Sequence, residues 1–147
     1  MKINLKKLSS KAKIPTRGSS EAAGADLYAC LPEGQDSIVI QPHCTEIIPT
    51  GFALELPKGY WAAIVARSGL ATKKGLRPAN CIGMCDSDYR GEYMVALHND
   101  TNEEQTVFDG DRIAQLAILP CIPAEFEEVD ELEETERGTG GFGSTGR

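Results

Sequence analysis

The chain has 147 residues, 41% hydrophobic and 25% charged, the composition of one domain that can bury a core without disulfides or a structural metal. Its net charge of −7, from 15 Lys and Arg against 22 Asp and Glu, argues against a non-specific nucleic-acid binder, which needs surplus cations to neutralise phosphates. Eight of those acids (Glu125, Glu127, Glu128, Asp130, Glu131, Glu133, Glu134 and Glu136) fall in one twelve-residue stretch, so the rest of the chain is close to neutral.

The basic start, residues 1–15, has no apolar run of signal-peptide or membrane-spanning length, so a cytoplasmic chain without a membrane partner is expected. A nuclear setting stays open for a eukaryotic or viral source. Ile3 and Leu5 alternate with polar neighbours, as in a first strand. Period-two patterning then predicts strands over 26–31, 37–41, 45–48, 60–66, 105–108 and 112–119, and along the runs Phe52-Leu54-Leu56 and Tyr93-Val95-Leu97. One short helix is expected from Ser68 through Lys74, ended by Gly75. Asp109-Gly110 predicts a hairpin turn between two of these strands, because both residues tolerate positive φ. Many short strands without alternating long helices give an all-β class, an antiparallel jelly roll or β-sandwich, and not a Rossmann sheet.

The five cysteines, Cys30, Cys44, Cys81, Cys85 and Cys121, are odd in number and contain no C-x-x-C pair. They are expected as reduced, buried thiols. With only His43 and His98 beside them, no zinc set has recognisable spacing.

After the acidic stretch come residues 137–147, with five of the fifteen glycines. That tail reads equally as a disordered terminus or as an anion-wrapping loop, since it carries Phe142, two arginines and hydroxyl side chains among the glycines. Residues 138–143 spell G-x-G-x-x-G, and 141–146 spell G-x-x-x-x-G. The first lacks a following helix and the second lacks its Lys-Ser/Thr, so neither nucleotide motif stands.

Arg67-Ser68-Gly69 opens the short helix, where amide groups, a hydroxyl and a guanidinium can converge on phosphate oxygens. Taken alone, the string reads first as an N-capping serine beside a surface arginine. Asp86 and Asp88 lie at the bend of a long hairpin. On a strand they would share a face and could hold a divalent cation or a water, while the bland alternative is a solvated turn. Asp26 sits inside the apolar run 23–29 and needs a partner there: backbone amides, Arg67 or metal-bound water. Gln115 interrupts the apolar strand 112–119, serving either a buried backbone group or a ligand.

In this order, AGADLYA (23–29), ARSGLA (66–71), NCIGMCDSDYRGE (80–92), GDRIAQL (110–116) and RGTGGFGSTGR (137–147) resemble the five motifs of trimeric deoxyuridine triphosphatases. The similarity covers the whole chain. It departs from the usual pattern at Ala66, where Pro is common, and at Met84-Cys85 before Asp86, and neither change removes a chemical group. The resemblance implies a nucleotide-metabolism hydrolase that converts dUTP to dUMP and pyrophosphate with Mg²⁺. Asp86 would activate the water that attacks the α-phosphorus, and Asp26 would hold magnesium through water. Arg67, Ser68, Gly69 and Gln115 would bind phosphates. Arg137, Gly143, Ser144 and Thr145 would close over the β and γ groups.

The same resemblance assigns the base and sugar to the hairpin from Asn80 to Met94. Asn80, Gly83 and backbone groups of Met84, Cys85 and Met94 would read uracil, and Tyr89 under the deoxyribose would collide with a 2′-hydroxyl. A mispaired cytosine amino group would cost about 1 to 3 kcal/mol. Phe142 would stack on the base, worth roughly 1 to 3 kcal/mol. It further implies a homotrimer with shared active sites, a β domain over 1–124, an acidic connector over 125–136 and a flexible arm over 137–147 that closes a neighbour's site. The rival enzyme, a dCTP deaminase of the same fold, relies on a catalytic Glu and other hairpin residues. A nucleotide-sensing protein without turnover would have no use for Asp26, Asp86 and Arg137 together.

Overall fold

The computed structural model describes residues 1–141. In chain order its strands are β1 (Asn4–Lys7), β2 (Ala25–Tyr28), β3 (Ser37–Ile40), β4 (Thr45–Pro49), β5 (Phe52–Glu55) and β6 (Tyr60–Val65). Helix α1 (Ser68–Lys74) follows, then β7 (Leu76–Pro78), β8 (Ile82–Cys85), β9 (Met94–Asn99), β10 (Gln105–Phe108) and β11 (Arg112–Pro120). All pairings are antiparallel. A four-stranded sheet runs β2-β11-β6-β8, a three-stranded sheet β4-β9-β7, and β1-β5 and β3-β10 form two-stranded sheets.

These sheets fold as a jelly roll because each strand presents one apolar face inward. Leu27, Ile40, Ile48, Phe52, Val95, Leu97 and Ile113, from six different strands, are all 1% exposed or less. Each such side chain contributes about 1.5 to 3 kcal/mol on burial. Helix α1 ends as expected: Gly75 takes φ 62°, and its N–H donates to the Ala71 carbonyl at 3.2 Å. Lys73 and Lys74 face the negative end of the helix dipole.

Several expectations change. The Asp109-Gly110 turn forms, with Gly110 at φ 82° and Asp111 N–H on the Phe108 carbonyl at 3.0 Å. It does not close a hairpin, because β10 pairs with β3 while β11 pairs with β2 and β6. The stretch between Asn80 and Met94 is likewise no paired hairpin: β8 lies on β6, and β9 lies between β4 and β7. It is a crossover between sheets. Alternation reveals that a strand has an inner face and leaves its neighbour unspecified. Strands β7 and β8 escape the periodicity because one is three residues with a proline and the other carries Gly83 against Ile64.

The cysteines correct another expectation. All five are free thiols, and only Cys30 is buried, with Cys85 half-buried and Cys44, Cys81 and Cys121 exposed in the single chain. The three exposed ones fall in turns and loops, beyond the inner faces that make the core.

Candidate active site

The sheet register assembles the first group of candidates. Gln115 of β11 stands opposite Asp26 of β2 on one side and Val65 of β6 on the other. Arg67 follows β6 by two residues. Asp26, 6% exposed, is therefore met from the adjacent β11 and from the segment that follows β6, one strand further across the sheet. Its Oδ1 accepts from Arg67 Nε at 3.0 Å and Gln115 Nε2 at 3.4 Å, and its Oδ2 accepts from Arg112 at 3.2 Å. Arg67 also donates to the Arg112 carbonyl at 3.2 Å, which ties the two arginines together. Gly24 makes room for the amide: a Cβ there would lie 3.3 Å from Gln115 Cβ.

This answers two questions raised by the residues alone. The buried Asp26 carboxylate is compensated by two guanidinium groups, and Gln115 interrupts its apolar strand to reach that carboxylate. Arg67, not Ser68, occupies the N-cap of α1, with extended φ and ψ and no side-chain cap. Ser68 is the first helical residue, so its hydroxyl is not spent on capping; its carbonyl accepts from the Thr72 hydroxyl at 2.7 Å.

Asp26 accepts three hydrogen bonds of the roughly four its oxygens can take, and no group of three or more His, Cys, Asp or Glu gathers for a metal among the described residues. One remaining acceptor position on a single carboxylate fits a cation held mainly by phosphates and water, the usual condition of Mg²⁺. It does not fit a cation caged by protein.

The second group surrounds the β8–β9 crossover. Met84, Cys85, Asp86, Tyr89, Glu92, Tyr93 and Met94 line a cavity of about 220 Å³. Asp86 leaves the end of β8, and Tyr89 N–H returns to the Asp86 carbonyl at 3.2 Å. Asp86 and Asp88 thus lie in a turn and do not share a strand face. Tyr89 donates its hydroxyl to the Glu92 carbonyl at 3.0 Å, and Glu92 accepts from Gly51 N–H at 2.7 Å. Burial, then the neighbouring Asp86 charge, pushes the Cys85 thiol up. Asn80 and Gly83 do not line this cavity; they lie together just before it in the chain, the Asn80 side-chain nitrogen 3.4 Å from where a Cβ on Gly83 would sit.

The two groups are not joined in one chain. Arg67, Gly69, Lys73, Lys74 and Arg112 border a separate cavity of about 350 Å³ that shares no lining residue with the first. Arg137 lies farther along, in an exposed turn where its Nε donates to the Gly140 carbonyl at 2.9 Å. Phe142, Gly143, Ser144 and Thr145 lie outside the described residues. Residue-level reasoning missed Arg112 and Tyr93. Three residues apart on a regular strand, Arg112 and Gln115 would face opposite ways; a register shift between Arg112 and Ala114 sets Arg112 opposite Tyr28, two residues from Asp26, and alternation along the sequence does not reveal that shift.

The dUTPase family model matches residues 10–146. The chain belongs to the dUTPase family. It is 49% identical over 144 residues to the deoxyuridine 5′-triphosphate nucleotidohydrolase of Syntrophotalea carbinolica, covering 98% of this chain and 96% of that one. The enzyme of the same name from Nautilia profundicola is 46% identical over the whole of both chains. Among solved structures, a mutant dUTPase of Staphylococcus bacteriophage 80alpha with dUpNHpp superposes with a TM-score of 0.86 at 28% identity, covering 99% of each chain. As a dUTPase, the chain is a hydrolase of nucleotide metabolism, and none of its described helices is long and apolar enough to cross a membrane.

Proposed function

We propose that this dUTPase hydrolyses dUTP to dUMP and pyrophosphate, with Asp86 activating the attacking water. The observation that carries this is the family match over residues 10–146, which spans four of the motifs and all but the last residue of the fifth. Asp86 accepts a proton as the water oxygen bonds to the α-phosphorus, and the bond from that phosphorus to the oxygen bridging to the β-phosphorus breaks, releasing pyrophosphate. A carboxylate is a weak base, so positioning and charge neutralisation carry most of the acceleration.

Arg67, Ser68, Gly69 and Gln115 hold the phosphates, and Asp26 fixes the direction of the Arg67 and Gln115 donors. A magnesium ion bound with the substrate would supply charge neutralisation, and Asp26 would hold it through water. The cavity beside Tyr89 takes uracil and deoxyribose, read by Asn80, Gly83 and the backbone of Met84, Cys85 and Met94.

Shared sites in a homotrimer suit a chain in which Arg67 and Gly69 line one cavity and Met84, Cys85, Asp86, Tyr89 and Met94 line another. In the connector, 125–136, and just before it, Ile122, Phe126 and Leu132 are 87%, 98% and 86% exposed. Apolar side chains so placed gain by packing on a neighbouring subunit. The arm, 137–147, then brings Arg137, Phe142, Gly143, Ser144 and Thr145 over that neighbour's phosphates and base.

The test is pyrophosphate release with Mg²⁺ from dUTP, UTP, dCTP and dTTP. Strong preference for dUTP is expected; ammonia from dCTP, or equal rates on UTP and dUTP, overturns the assignment. Asp86→Asn should bind dUTP and lose most turnover. Removing residues 138–147 should leave a trimer by light scattering that turns over slowly, and unchanged kinetics would strip the arm of its role.

A further inference from the structure

Glu92 stands between two cavities. It lines the space that holds Asp86 and Tyr89, and also a second one of about 280 Å³ bordered by Leu8, Ser9, Lys11 and Gly51. Its half-buried side chain reaches across to accept from the Gly51 N–H at 2.7 Å, a contact between residues 41 apart in sequence. Gly51 is a firm point to hold. It is buried with φ 73°, and its carbonyl accepts from the N–H groups of Leu8 and Ser9 at 2.7 and 3.2 Å. A carboxylate makes the stronger kind of hydrogen bond to such an amide.

The backbone of Glu92 has a different partner. Its carbonyl accepts the Tyr89 hydroxyl at 3.0 Å, and the N–H of the same peptide unit, which belongs to Tyr93, donates to the Phe52 carbonyl at 2.9 Å. One bond leaves that peptide free to pivot. The Glu92 carboxylate on Gly51, the residue before Phe52, adds a second attachment, and two points fix the direction in which the carbonyl faces. Tyr89 needs this fixing. Its N–H on the Asp86 carbonyl at 3.2 Å holds its backbone, but its side chain is on the surface, 42% exposed for the residue, and folds back over Gly91, which has no Cβ to block it. The ring is steadied there by a tilted contact with Tyr93 at 5.9 Å and by the hydroxyl bond to Glu92.

We propose that Glu92 is a positioning residue for sugar selection: its carboxylate, clamped on the Gly51 amide, fixes the carbonyl that holds the Tyr89 hydroxyl, and so keeps the Tyr89 ring where a 2′-hydroxyl would collide with it. The inference rests on Tyr89 having that role. No bond is made or broken at Glu92. Without its anchor the ring is free to yield, and a ribose is admitted where a deoxyribose belongs.

The readout is the ratio of kcat/KM for dUTP over UTP with Mg²⁺. A smaller folded fraction cancels from that ratio, because both substrates meet the same molecules. Glu92→Ala should lower it about 2- to 10-fold, one hydrogen bond's worth of positioning. Glu92→Gln keeps an oxygen that accepts from Gly51 and should recover most of the parent's ratio. Tyr89→Phe keeps the ring and removes its hydroxyl; it should lower the ratio by a similar amount, and adding Glu92→Ala to it should lower the ratio no further. An intact ratio in Glu92→Ala, a glutamine variant as poor as the alanine one, or additive losses in the double variant each overturn the proposal. If the alanine variant does not fold, Glu92→Asp replaces it: one carbon shorter, it keeps the charge and withdraws the acceptor from Gly51, and a parent-like ratio overturns the proposal equally. Equal rates on dUTP and UTP in the parent would overturn the functional assignment together with this inference, whereas a selective parent whose ratio survives the loss of Glu92 overturns the inference alone.

Discussion

Gly91→Ala tests whether the fold places Tyr89 where a sugar-selecting side chain must stand. Gly91 is not among the residues with positive φ, so alanine fits its backbone. The new Cβ, however, would lie 2.6 Å from Tyr89 Cζ and 2.9 Å from Cε2, and closer still to the hydroxyl. Non-bonded carbons settle at about 3.5 to 4.0 Å, so the ring must move by about 1 Å or swing out. Tyr89 is 42% exposed, and swinging out is open to it. The move forfeits its hydrogen bond to Glu92, about 0.5 to 1.5 kcal/mol, and its contact with the Tyr93 ring, about as much again. Lower entropy of the unfolded chain returns about 0.4 to 1 kcal/mol. The net loss of about 0.5 to 2 kcal/mol leaves a folded protein melting a few degrees lower. Selectivity should suffer more. If Tyr89 rejects the 2′-hydroxyl with about 1 to 3 kcal/mol, the ratio of kcat/KM for dUTP over UTP drops roughly 5- to 150-fold. Tyr89→Ala should drop it similarly, and the double variant should be no worse than either single one. A folded Gly91→Ala protein with the parent's dUTP/UTP ratio would refute this account of the sugar pocket.

Arg112→Ala leaves Asp26 its bonds to Arg67 and Gln115 and removes a pair whose arginine side chain is 53% exposed. It should cost under about 1 kcal/mol of stability by denaturant titration, yet lower kcat/KM for dUTP several-fold, because the Asp26–Arg67–Gln115 set loses one anchor; unchanged kinetics would make Arg112 a bystander. Gly51→Ala should fold poorly: Gly51 has φ 73°, and a Cβ would meet Cys30 Sγ at 2.6 Å and Ala12 Cβ at 2.9 Å. Left-handed strain and overpacking sum to about 2 to 5 kcal/mol, and a parent-like melting curve would contradict the packing around Cys30. Tyr93 gives stability an alkaline limit. Its folded pKa, about 12, lies above the unfolded value near 10, so the native state keeps a proton that the unfolded chain releases. Stability is intact below about pH 10 and falls as pH climbs toward 12, by at most about 2 to 3 kcal/mol. Unfolding titrations of Tyr93→Phe should lack that part of the decline.

The strands with a clear inner face were legible because alternation is a local property: Leu27, Phe52, Leu54, Val95, Leu97 and Ile113 are buried as their runs required. Helix α1 and its glycine stop were equally local. The five motifs were legible as an ordered string, and the charge of −7 proved compatible with a tetra-anionic substrate, since two arginines and the helix start are local while eight acids sit apart in 125–136. Pairing was not legible. Nothing in Gln105–Phe108 or Arg112–Pro120 says that they turn away from each other into different sheets, because partner choice depends on how all inner faces pack at once. For the same reason Asp26 found its three donors only in the folded chain: Gln115 and Arg112 reach it from a strand almost ninety residues away along the sequence. Tyr93 looked like one more core residue in an alternating run, and only the tertiary structure leaves its buried hydroxyl without a partner among the described residues. Local chemistry and order along the chain settle which groups the protein carries; long-range packing decides which of them meet.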